Sequence, residues 1–157
     1  MDLALLRRIS PISAILTFAL SFRLWRLDTP KGYIFDEIYY AKNAYSLISS
    51  GVELDQQGGS EFVVHPPFGK WLIGIGIRLF GNNEFGWRSS SALFGSASVL
   101  LIYLIAKRLF KSEFLALSAA LLMALDGLSL VMSRVALLDI FLMFFIVFLG
   151  FIFFLNG

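Results

Sequence analysis

The chain has 157 residues, 58% of them hydrophobic and 15% charged, with a mean hydropathy of +0.79. That balance excludes an ordinary soluble domain and marks a membrane protein; several of the 17 Phe residues sit in a nearly charge-free terminal run where lipid can solvate them. The absence of Cys rules out disulfides, a thiolate nucleophile and cysteine metal sites, and a net charge of +2 without a Lys/Arg tract excludes a nucleic-acid partner.

In chain order, the first predicted element is an apolar helix from Ile9 to Leu24 behind Arg7 and Arg8, with Ser10 and Pro11 suited to its cap and first turn. A signal peptide has a similar basic start, but small residues mark its cleavage site. Here Phe22-Arg23-Leu24-Trp25-Arg26 follows, so the helix reads as uncleaved. From Asp36, Ile38, Ala41, Tyr45 and Ile48 recur at helical spacing while Lys42, Asn43, Ser46 and Ser49 face elsewhere, and Gly51 supplies a stop. This amphipathic helix is too short to span and is expected along the membrane surface. A second surface helix is expected over 66–81, because seven uncharged residues between Lys70 and Arg78 are too few for a crossing.

Residues 89–106 carry no charge and form the clearest span. Their small residues Ser91, Gly95, Ala92 and Ser96, spaced four apart, suit close helix contact. Residues 114–133, interrupted by Asp126, and 140–157 are further spans. The expectation is an all-α protein, a single membrane domain over 1–157, with four transmembrane helices and two amphipathic surface helices in the first outer loop. Lys and Arg beside spans prefer the cytoplasmic side. Arg7 and Arg8, with Lys107, Arg108 and Lys111, therefore set the amino terminus inside and residues 26–87 outside.

The outer side gathers the candidate chemistry. Asp36 and Glu37 open the first surface helix, where the dipole and free N–H groups favour negative charge by ~0.3–1 kcal/mol. An N-cap role accounts for the doublet; a carboxylate partly desolvated near the bilayer would also gain the basicity that general-base work needs. His65, the one His of the chain, precedes two prolines and Lys70 in "VVHPPFGKW". It reads as a hydrogen-bonding residue or a functional one. Arg88 opens the second span as an interfacial anchor beside Trp87. In "DGLSLVMSRVALLD", Asp126, Arg134 and Asp139 surround an outer turn, where charges pair with each other or line a cavity. An Arg134–Asp139 pair and an anion-binding cavity are the two readings.

The order and gaps of "FDEIYYAKNAY", "HPPFGKW", the Arg of "FGWRSSSALFG" and "DGLSLVMSRVALLD" resemble the protein O-mannosyltransferase family over nearly the whole chain. The resemblance implies a multi-pass GT-C glycosyltransferase that moves mannose from dolichyl or polyprenyl phosphate to Ser or Thr hydroxyls of a protein, with inversion. It implies Asp36 as the catalytic base, with Glu37 positioning the acceptor or balancing charge. Arg88 and Arg134 would hold the lipid phosphate or order its site, Asp139 would orient Arg134, and His65 and Lys70 would shape the loop or touch phosphate or acceptor. The lipid-linked sugar donor, the protein acceptor and the bilayer are the implied partners; no metal or other cofactor is expected. The active loop would lie on the non-cytoplasmic side, of the plasma membrane in a prokaryote or of the endoplasmic reticulum in a eukaryote. Family members have many more spans, so an amino-terminal portion or a fragmentary gene product is expected. A related transferase with another sugar or acceptor, and a noncatalytic transport or scaffold subunit, are the alternatives.

Overall fold

A computed structural model describes residues 3–54, 58–60 and 63–156, with side chains from residue 11 onward within these ranges. The side chains of Arg7 and Arg8 lie outside the described set, as does Gly157 at the end of the last expected span. The described residues form seven helices: α1 (Leu3–Leu24), α2 (Glu37–Ser50), α3 (Pro67–Phe80), α4 (Glu84–Phe110), α5 (Glu113–Leu125), α6 (Gly127–Met132) and α7 (Asp139–Asn156). They contain no strand, only an isolated antiparallel bridge between Leu54 and Ser60. The all-helical expectation therefore holds.

Among the described residues, two helices, α4 and α7, are long and apolar enough to cross a membrane. The other two expected spans take a different form. α1 begins at Leu3, which puts Pro11 inside the helix rather than in its first turn. The expected continuous span over 114–133 is two helices, because Asp126 ends α5 and starts α6: its Oδ1 accepts from Ser129 N at 2.7 Å. An N-capping carboxylate satisfies an end-of-helix donor that an apolar residue would leave bare.

α4 is the axis of the fold, packing against α1, α3, α5 and α7, with α2 lying on α3. The tight turn from α4 to α5 follows from its residues. Lys111 takes a left-handed conformation (φ 52°) and returns its N–H to Lys107 O, and Ser112 Oγ then caps α5. Lys107 and Tyr103 both bond Glu113 across this turn. Close crossings depend on missing side chains. A Cβ on Gly76 would lie 2.4 Å from Gly86 O, and one on Gly95 would lie 2.2 Å from Ser133 Cβ. Here the small residues of α4 do bring a neighbouring segment close.

Two apolar clusters divide the molecule. One joins α1, α4 and α5 through Ile12, Ala19, Val99, Ala120 and Ala124. The other binds α2, α3, α4 and the start of α7 through Tyr40, Ala44, Ile73, Ile77, Trp87, Ile140 and Phe141. Phe141, 2% exposed, adds about 1.5–3 kcal/mol by its burial. The packed face of α2 is rotated from the expected stripe: Ala41 and Ile48 reach this cluster, whereas Ile38 and Tyr45 are exposed. The face is set by Glu37, Tyr40, Ala41 and Ala44, because Glu37 is drawn inward by a buried cation.

Candidate active site

Glu37 and Arg88 form a fully buried pair, both at 0% exposure. Glu37 takes Arg88 Nε and Nη2 on its two oxygens, each at 2.8 Å, in the bidentate form that suits guanidinium and carboxylate. Its remaining capacity is filled by the N–H groups of Ile34 and Ala136. Arg88 also donates to the carbonyls of Leu27, Pro30 and Gly32, so all five of its N–H groups are used. The pair thus gathers the end of α1, the segment leading into α2, the amino end of α4 and the turn before α7.

Asp36, the neighbouring acid, is treated differently. It stands at the N-cap position of α2, but its side chain makes no capping bond. Phe35 before it is left-handed (φ 53°), a conformation that costs a non-glycine residue roughly 1–2 kcal/mol. Arg88's bonds to the preceding carbonyls hold that backbone. Glu37 follows Asp36 inward, and Asp36 is left half-buried with no side-chain hydrogen bond among the described residues.

The open carboxylate faces a cavity of about 260 Å³ lined by Asp36, Tyr39, Tyr40, Asn43, Val64, His65 and Lys70. A second, apolar cavity of about 320 Å³ shares Tyr40 and His65 and continues along Phe68, Leu138, Phe141, Leu142 and Phe145, with Asp139 also on its wall. Tyr40 stacks edge-on with His65 at 5.4 Å between ring centres. Burial raises the Tyr40 phenol above its ordinary pKa, and the charges of Asp36 and Asp139 raise it further. It therefore stays protonated where the two cavities meet.

Asp36, His65 and Lys70 are thus brought together, and Asp139 joins His65 on the apolar side. Arg134 is elsewhere. Its guanidinium donates to the carbonyls of Phe22, Trp25 and Arg26 at the end of α1, and it lines a separate cavity with Trp25 and Ile34. No Arg134–Asp139 ion pair forms among the described residues. The physical reason is that the carboxyl-terminal carbonyls of α1 already give Arg134 the negative end of a helix dipole.

The sequence reading missed the wall residues Tyr39, Tyr40, Asn43 and Val64, and Glu53 behind them. Tyr40 and Asn43 follow Asp36 at i+4 and i+7, the spacing of one helix face, and that periodicity was the available signal. Glu53 lies behind Asn43 and Lys70, accepting from both. No local pattern marks it.

The site thus stands on an all-helical scaffold with two helices long and apolar enough to cross a membrane among its described residues, with Asp36 in a polar cavity that shares Tyr40 and His65 with an apolar one. Residues 64–156 match a family described as dolichyl-phosphate-mannose-protein mannosyltransferase, and residues 13–84 match a second family of the same description. The chain belongs to the dolichyl-phosphate-mannose-protein mannosyltransferase family. Among its relatives, polyprenol-phosphate-mannose–protein mannosyltransferase of Mycolicibacterium smegmatis is 48% identical over 115 residues, covering 73% of this chain and 22% of that protein. The Corynebacterium glutamicum protein of the same name is 38% identical over 118 residues, covering 72% and 23%. Human protein O-mannosyl-transferase 1 is 32% identical over 149 residues, covering 84% and 19%. The chain spans about a fifth of the length of the curated relatives it matches. No solved structure matches it.

Proposed function

We propose that this chain forms part of a multi-pass membrane enzyme that transfers mannose from a polyprenyl or dolichyl phosphate to Ser or Thr hydroxyls of a protein. The observation that carries the reading is the position of Asp36, half-buried and without a side-chain hydrogen bond among the described residues, in a polar cavity that adjoins an apolar one. Asp36 accepts the proton of the acceptor hydroxyl as that oxygen attacks the anomeric carbon. The new C1–O bond forms as the C1–O bond to the carrier phosphate breaks, and the bonding electrons leave with the phosphate. A single displacement inverts the anomeric configuration. The apolar cavity receives the first units of the prenyl chain, with the phosphate near His65 and Asp139. Because Arg88 has no N–H to spare, it orders the site through Glu37 and the 27–32 backbone rather than holding phosphate, and Arg134 orders the end of α1.

In this reading α1, α4, the α5–α6 pair and α7 cross the bilayer, the amino terminus is cytoplasmic, and α2 and α3 lie at the outer surface. The exposed apolar side chains support it: Phe68, Trp71, Ile75 and Leu79 on α3, and Leu142, Ile146, Leu149 and Phe153 on α7, would face lipid.

Two experiments test the proposal. The full-length membrane protein is incubated with radiolabelled polyprenyl-phosphate mannose and a Ser/Thr-rich peptide. Transfer with inversion, abolished by Asp36→Asn, supports it; transfer that survives Asp36→Asn removes Asp36 as the base, and labelling from a different lipid-linked sugar alone replaces mannose. These 157 residues contain no Cys, so Tyr39→Cys and Leu109→Cys, both exposed, report topology in a protein otherwise free of reactive thiols. An impermeant maleimide should reach the first from outside and the second only after permeabilisation.

A further inference from the structure

The buried Lys70–Glu53 pair is not explained by the reaction outlined above. Glu53 Oε2 accepts from Lys70 Nζ at 2.6 Å and from Asn43 Nδ2 at 2.9 Å, and Glu53 and Lys70 are 4% and 1% exposed. Such a pair seldom repays the desolvation of its charges. Here the balance is worse still, because Glu53 Oε1 is enclosed with no partner among the described residues. An arrangement that is poor for stability still fixes geometry: one carboxylate oxygen ties α2 to α3 and sets the two side chains that flank it.

Both side chains line the polar cavity beside Asp36, and Glu53 stands behind them. Among the described residues, Asn43 spends one amide N–H on Glu53 while its Oδ1 accepts no hydrogen bond, and Lys70 spends one of its three N–H groups. The wall therefore offers donors and an acceptor together, next to the exposed ring of Tyr39. Its charge is cancelled by Glu53, which makes it a poor clamp for phosphate and a good match for neutral hydroxyls. A cavity of about 260 Å³, near the lower end of small-molecule sites at about 300–1,000 Å³, suits one sugar ring rather than an extended peptide.

We propose that Asn43 and Lys70 form the wall that reads the hydroxyls of the transferred sugar, and that Glu53 is the positioning residue that locks them. The subsite rests on the transferase reading. Sugar hydroxyls replace water on Asn43 Oδ1 and the free Lys70 N–H groups, and the ring packs its C–H face on Tyr39.

The test compares binding of polyprenyl-phosphate mannose with binding of bare polyprenyl phosphate to the full-length protein in nanodiscs. Asn43→Ala and Glu53→Gln should each weaken the mannosyl lipid by about tenfold or more, leave bare polyprenyl phosphate within about twofold, and raise donor KM more than they lower kcat. The double variant Glu53→Gln, Lys70→Met removes the unpaired charge and should recover thermal stability without recovering discrimination. Equal weakening of both lipids, no change in either, an effect confined to the acceptor KM, or discrimination that returns with stability would each overturn the subsite. Wild-type protein that binds neither lipid would instead sink the transferase reading itself.

Discussion

Asp36 and Glu37 are adjacent in sequence and opposite in circumstance. Around Glu37 every polar group is spoken for: four donors reach its two oxygens, and Arg88 has none left over. Asp36 has no side-chain partner among the described residues and lines a cavity. The difference teaches a division of labour that one residue of helix register produces. Side chains at consecutive helix positions point about 100° apart, so one acid enters the core to fix geometry while the other stays on a cavity wall, where the proposed reaction needs a base.

The comparison breaks most sharply at Asp36. Asp36→Asn should lower mannosyl transfer by roughly 10²–10⁴-fold, the usual span of a lost general base, with no loss of thermal stability. A comparable fall in melting temperature would show that Asp36 is structural after all. Glu37→Gln or Arg88→Met should do the reverse, removing about 3–5 kcal/mol of stability by leaving a buried charge uncompensated; chemical unfolding of the purified protein measures this, and transfer per folded molecule should fall far less than in Asp36→Asn.

Smaller changes sharpen the contrast away from the site. Arg134→Met frees the α1 carbonyls of Phe22, Trp25 and Arg26 and should cost about 1–2 kcal/mol, less than a buried charge because the group is partly exposed. Asn83→Ala removes the side-chain cap of α4, whose Oδ1 accepts from Gly86 N at 3.0 Å, and should cost about 1 kcal/mol with transfer per folded molecule unchanged.

The smallest effect concerns Asp28 and Lys31. The hydrogen bond and charge of Lys31 hold the Asp28 carboxyl below its ordinary pKa. A depressed folded value means that the contribution is present above the ordinary carboxylate pKa and lost as pH falls through the depressed one. Both side chains are solvated, so Asp28→Asn should produce no measurable change in melting temperature at moderate salt, at neutral pH or at pH 3.

Much of the secondary structure was legible locally. The expected start at Asp36 and stop at Gly51, and the expected range 66–81, bound α2 and α3 within one residue of what forms. Asp126 was visible as an interruption, but the helix break there was not, because a lone carboxylate in an apolar run reads equally as a tolerated charge or a cap. Of the site, the motif residues Asp36, His65 and Lys70 were legible; the i+4 and i+7 spacing that puts Tyr40 and Asn43 on the face of Asp36 was present in the sequence but was not read as part of the site. The site was not legible where residues distant in sequence meet.

The sequence by itself determined the helical content, the apolar character, the family and the acid doublet, since these follow from composition, short-range periodicity and local motifs. Only the tertiary structure decided which acid is spent on Arg88, that Arg134 serves α1 rather than Asp139, and that Glu53 stands behind Asn43 and Lys70. Each depends on contacts between residues 10 to 112 positions apart. Hydrogen-bond partners at such separations are selected by how helices pack, and packing leaves no period in the chain.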